Sequence, residues 1–269
     1  MFSKLLKYEY RATARVMMPV YGIFLLLVGC TALTRFVTYY LLPDTLLDFV
    51  RDLLTVFSFF GFVGVLLVSS LLSVVRFYQM LGDSGYLYFS FPVTPTQHML
   101  ARALVGTTWT LGFLLACGLF FFFFSDAPEI IFPECSASPV KWFTLGVILL
   151  SVVQVIASIM SGYFAMFLCC AIGAQWTQRR LLATFVAYLV MGAISQALST
   201  LILFFAWLFN APITWLQSLF DLSVYNIVSV AGFFQLTIPI WIALFYTIIT
   251  GAVCFYFTKK LLEKRLNLP

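Results

Sequence analysis

The sequence predicts an all-α integral membrane protein with six transmembrane helices. Three observations predict it. Several apolar runs reach 18 residues or more, long enough for a helix to cross about 30 Å of hydrocarbon. These runs are continuous, whereas the strands of a membrane barrel alternate apolar and polar residues. The chain is also 63% hydrophobic and only 9% charged, with a mean hydropathy of +1.05, where a soluble domain carries about 25% charged residues. All 269 residues are read as one transmembrane domain.

Residues 2–15 suit an amphipathic helix lying on the bilayer surface. At about 100° per residue, Lys4, Lys7, Arg11 and Arg15 share one face, turned to anionic headgroups, and Phe2, Leu5, Leu6, Ala12 and Val16 share the other. Such a face binds membrane lipid. Glu9 falls in the middle of the apolar side. Two readings stay open for it: a solvated carboxylate on an imperfect helix, or a buried partner for Arg76 or Arg102, because a charge in apolar surroundings is costly unless paired.

Span one covers about 17–34. The chain then leaves the membrane through Pro43, and Asp44, Asp48 and Asp52 recur every four residues as a solvated helix face leading into span two, about 53–75. Span three covers 95–124. It opens on Thr94-Pro95-Thr96-Gln97, with Thr94 as N-cap, Pro95 in the first turn and Gln97 as capping-box partner. Residues 125–141 form a polar loop with three acids and three prolines, and Ser138-Pro139 starts span four, about 140–174. Ala157, Ser161 and Ala165 lie one turn apart on it; small residues so spaced let helix backbones approach, within the bundle or across a dimer seam. Span five is about 181–208. Residues 209–235 are less apolar and predict one or two short outer-face helices before span six, about 236–258.

The basic residues set the orientation. Twelve gather on the side of the two termini, and three, Arg35, Arg51 and Lys141, lie on the other. By the positive-inside rule both termini and the 76–98 stretch are cytoplasmic. The first 15 residues show no signal-peptide cleavage site. The net charge of +5 comes from residues at the ends of apolar runs, so nucleic acid is not implied.

The catalytic inventory is poor. His98 is the only histidine, no H-E-x-x-H or C-x-x-C pattern occurs, and five of six cysteines fall inside apolar runs; neither a metal site, a disulfide framework nor an acid–base pair is indicated. The spans are almost free of charge, unlike those of ion-coupled carriers. Gln154, Gln196 and Gln235 are the main large polar residues in or near them, placed to bond helices together or to line a path. There is no G-x-x-x-x-G-K-[ST] phosphate loop, so the chain is not expected to be an enzyme or to need a cofactor, and any ATP hydrolysis must come from a partner.

The stretch from Arg76 to His98 stands apart. It combines Gly82, Gly85, Pro92 and Pro95 with Asp83 and a row of aromatics. Its Leu81-Gly-Asp-Ser-Gly-Tyr segment, followed by Phe91-Pro-Val-Thr-Pro-Thr-Gln, resembles the first cytoplasmic loop of type-two ABC exporter permeases, as found in Gram-positive bacteria. Asp83, Gly85, Pro92, Val93 and Thr94 match that family's acid-x-Gly and Pro-hydrophobic-Ser/Thr positions. Lys4-Leu-Leu-Lys-Tyr-Glu-Tyr-Arg11 is similar to the family's elbow helix.

The resemblance implies a bacterial plasma-membrane permease, paired with a second permease chain and energised by separate ATP-binding subunits. Tyr86, Leu87, Phe89 and Phe91 would enter a groove on the ATPase, with Asp83, Gly85 and Pro92 shaping the turn; interface-seated aromatics are the simpler alternative. An ABC-like sensor or immunity protein for antibiotic peptides, without net transport, would keep the same loop.

Overall fold

The computed structural model describes residues 2–40, 45–81, 94–124, 138–176, 179–220 and 224–266. They form helices α1 (Phe2–Tyr40), α2 (Thr45–Leu81), α3 (Pro95–Phe124), α4 (Ser138–Gly173), α5 (Arg180–Phe220) and α6 (Val224–Leu266). Among the described residues there is no strand, and six helices are long and apolar enough to cross a membrane. These are the helices of a multi-pass membrane protein. Helix is the form hydrocarbon permits, because every backbone N–H and C=O must find its partner inside the protein. The 39 residues of α1 extend roughly 58 Å at 1.5 Å per residue, well beyond a core of about 30 Å.

Two boundaries differ from expectation. The surface helix expected over 2–15 is not a separate element, since α1 continues unbroken to Tyr40. Arg15-Val-Met-Met18 contains no helix-ending residue, and Pro19, which lies inside α1, removes a single N–H from the ladder. Residues 209–220 and 224–235 belong to the end of α5 and the start of α6 rather than to separate short helices. Their apolar residues recur every three to four places, which carries the helical pattern outward from each span.

The helices group into two compact units, Met1–Glu129 and Ile130–Pro269. In the first, α1 packs on α2 and α3, and α2 on α3. Phe24, Val28, Val65 and Phe113 are its core, with Tyr21, Phe62 and Leu66 around them. The Phe113 ring is the hub: its centroid lies 5.0 Å from Phe24, 5.4 Å from Tyr21 and 5.4 Å from Phe62. Tyr21 donates its hydroxyl to the Trp109 carbonyl at 2.7 Å, and Ser69 meets Thr110 at 3.2 Å. Lipid tails are as apolar as these side chains, so close fit and interhelical hydrogen bonds hold the helices together.

In the second unit α4 packs mainly on α6, with α5 against α4. Phe164 meets Phe255 at 5.2 Å, and Ser161 meets Thr250 at 3.4 Å. A Cβ at Gly251 would sit 3.3 Å from the Ser161 side chain. The middle of the small-residue stripe on α4 is therefore used within the unit. At the α4–α5 turn, a Cβ on Gly173 would run into the Thr184 side chain and lie 2.7 Å from its backbone.

Candidate functional site

The base of the first unit buries charge. Helix α1 presents Glu9 and Thr13 one turn apart, Thr13 buried and Glu9 largely so, while Lys4, Lys7, Arg11 and Arg15 stay exposed. The basic residues are exposed as their spacing predicts, but Ala12 and Val16 of the expected apolar face are exposed as well. Helix α2 contributes Arg76 near its C-terminal end, and α3 contributes Arg102 near its start. The structure brings Glu9, Arg76 and Arg102 together.

Arg102 Nε donates to Glu9 Oε1 at 3.1 Å, and Arg76 Nη1 lies 3.7 Å from Glu9 Oε2. Arg76 also donates from Nη1 to Thr13 Oγ1 and from Nη2 to the Ala12 carbonyl, each at 2.6 Å. Arg102 Nη1 donates to the Arg76 carbonyl at 2.6 Å. Thr13 donates in turn to the Glu9 carbonyl at 2.7 Å. Side-chain exposure is 14% for Glu9, 19% for Arg76 and only 4% for Arg102, so Arg102 is the most deeply buried of the three charges.

Each bond in this set crosses from one helix to another or anchors α1 locally. Glu9 joins α1 to both α2 and α3; Arg102 joins α3 to the last turns of α2. A shallow cleft opens among Glu9, Thr13, Ser73, Arg76, Arg102 and Gly106. Phe77, Met80, His98 and Met99 are fully buried, on the helix turns that border residues 82–93. With two guanidiniums on one carboxylate, the arrangement is suited to holding three helix ends in a fixed relation.

Thr94 precedes α3, which starts at Pro95. The Gln97 N–H goes to the Thr94 carbonyl at 3.0 Å, and the Thr94 hydroxyl faces Thr96 Oγ1 at 3.0 Å. Asp83, Gly85, Tyr86, Leu87, Phe89, Phe91 and Pro92 lie outside the described residues. Among the described residues no group of three or more His, Cys, Asp or Glu could hold a metal ion. Sequence reasoning passed over Thr13 and the Ala12 carbonyl, the seats of Arg76. Thr13, one turn from Glu9 on the same face, was the available signal. No family model, curated protein or solved structure matches the chain.

Proposed function

We propose that the chain is the membrane-spanning permease subunit of an ATP-driven exporter of the ABC class, in a bacterial plasma membrane with both termini cytoplasmic. It forms the path with a second permease chain and is driven through the 76–98 stretch by separate ATP-binding subunits. One observation carries the reading furthest: the two helix ends that border residues 82–93 are tied to each other and to α1 by the Glu9, Arg76 and Arg102 cluster. A loop that receives force from an ATPase needs such a mount. Pushed at its tip, it would move α1, α2 and α3 together rather than bend locally. The loop motif, the basic-residue bias and the six apolar helices support the same reading.

The aromatic residues Tyr86 and Phe89, with Leu87 and Phe91, act as anchors in the ATPase groove. The experiment is a mild-detergent pull-down of the tagged chain from its host, read by mass spectrometry. A stoichiometric P-loop ATPase is the expected finding, and changing Tyr86 and Phe89 together to serine should remove it while leaving membrane insertion intact. An abundant, folded sample that recovers no ATPase would overturn the proposal.

A further inference from the structure

The cleft beside the Glu9, Arg76 and Arg102 cluster is lined from α1, α2 and α3, all of the first unit. Beyond the three charged residues its lining includes Thr13, Ser73 and Gly106. Thr13 stands one turn along α1 from Glu9, Ser73 one turn before Arg76 on α2, and Gly106 one turn along α3 from Arg102. On each helix that step leads from the end of the span toward its apolar middle. Small residues thus sit on the membrane side of the charges, and the cleft is the space they leave. Arg76 directly follows the apolar run that ends at Val75, so the opening lies where hydrocarbon gives way to headgroups.

The chemistry of the lining favours an anion. It holds two guanidiniums and one carboxylate, an excess of one positive charge among the lining residues. Arg102, at 4% exposure, is fixed by Glu9 and by the Arg76 carbonyl. Arg76 is 19% exposed and stands 3.7 Å from Glu9, farther than a hydrogen bond reaches, so it is the cation that an incoming group meets. Ser73 holds the Ser69 carbonyl at 3.2 Å, a long contact for a hydroxyl, and can turn its hydrogen into the cleft instead. The floor is narrow, with room for little more than a water-sized group. One oxygen of a ligand enters while the rest stays outside. A phosphate oxygen suits this place, since a guanidinium binds phosphate through short charge-assisted hydrogen bonds. The depth of the opening makes the bilayer's own polar layer the source of that phosphate.

We propose that this cleft is a binding site for an anionic phospholipid, with one phosphate oxygen seated between Arg76 and Ser73. Arg102 adds its charge from the buried side and keeps Glu9 turned away from the ligand. The headgroup must be net negative. Glu9, the carboxylate of the lining, is held by Arg102 at 3.1 Å and gives no seat to the ammonium of a zwitterionic lipid. The site is distinct from the exposed Lys4, Lys7, Arg11 and Arg15 face of α1, which attracts headgroups by charge alone. A lipid in the cleft touches α1, α2 and α3 together and so stabilises their packing. It requires no ATPase, so the site stands or falls apart from the proposed function.

The test titrates the full-length chain, in a maltoside detergent, with phosphatidylglycerol, phosphatidylcholine and inorganic phosphate in turn. Bound lipid is read by native mass spectrometry, and stability by the thermal unfolding midpoint. Phosphatidylglycerol should bind at least about tenfold more tightly than phosphatidylcholine, the scale of one hydrogen bond to a charged group. It should also raise the midpoint, and inorganic phosphate at the same concentration should not. Ser73→Leu fills the cleft and leaves every charge in place; it should weaken phosphatidylglycerol binding roughly tenfold, as should Arg76→Gln. If Arg76→Gln does not fold, Ser73→Leu decides. Changing Lys4, Lys7 and Arg11 together to glutamine should leave one tightly bound lipid in place. Equal binding of the two lipids overturns the proposal. So does phosphatidylglycerol binding that survives Ser73→Leu but is lost with Lys4, Lys7 and Arg11, because the lipid then sits on the outer face of α1. A midpoint raised as far by inorganic phosphate refutes the lipid as occupant and leaves a site for free anions.

Discussion

Replacing Glu9 with leucine should cost the folded state about 3–5 kcal/mol, the usual penalty for removing one partner of a buried ion pair. The magnitude follows from who is left behind. Arg102 is 4% exposed and holds Glu9 at 3.1 Å; without the carboxylate its charge loses that contact while the side chain stays buried. Arg76, at 19% exposure and 3.7 Å, loses less, because it keeps Thr13 and the Ala12 carbonyl. Glu9→Gln should cost less than leucine, about 1.5–3 kcal/mol, since a neutral acceptor remains but the charge assistance goes. Arg102→Met should cost a similar amount to Glu9→Leu, while the double change Glu9→Leu with Arg102→Met should fall short of the sum by at least about 2 kcal/mol, because no orphaned charge remains at the 3.1 Å contact.

The assay is equilibrium unfolding in mixed micelles, followed by tryptophan fluorescence; Trp109 stands beside Tyr10 and Tyr21 in the same unit. A Glu9→Leu chain within about 0.5 kcal/mol of wild type, the scatter of an ordinary surface substitution, would refute the reasoning. It would show that water reaches the guanidiniums and that the cluster does not hold the three helix ends.

Three further outcomes follow from the packing, each read by the same unfolding measurement. Phe113→Ala removes the ring that Tyr21, Phe24 and Phe62 all touch and should cost about 3–5 kcal/mol. Tyr21→Phe removes only the 2.7 Å bond to the Trp109 carbonyl and should cost about 0.5–1.5 kcal/mol. Gly173→Val should cost more than about 3 kcal/mol, in the range of a severe steric clash, and Thr184→Ala should restore only part of it, because a Cβ at 173 also meets the Thr184 backbone at 2.7 Å.

Much of the architecture is legible in the residues because the bilayer leaves few choices. A continuous apolar run of sufficient length has to be a helix, and Thr94-Pro95 starts one where its spacing says it does. Helix ends beyond the bilayer are less legible. The continuity of α1 past Arg15 and the extension of α5 and α6 into 209–235 depend on whether a helix keeps going in the absence of a strong stop signal, which side-chain periodicity alone does not decide. The candidate site was half legible. The position of Glu9 on an apolar face announced a problem in electrostatics, and Arg76 and Arg102 were the basic residues available to solve it. Its solution also needed Thr13 and two backbone carbonyls, and carbonyls carry no residue-specific signal.

Composition and the length of the apolar runs, by themselves, determined that this chain is helical and multi-pass, because hydrocarbon tolerates an unpaired backbone group nowhere along a span. Only the tertiary structure decided which of two readings of Glu9 holds and that Thr13, Ser73 and Gly106 line one cleft beside it. Both turn on where a second helix stands. Sequence spacing places a side chain on one side of its own helix; the partner that gives that side its energy comes from residues 67 or 93 positions away, as Arg76 and Arg102 are from Glu9.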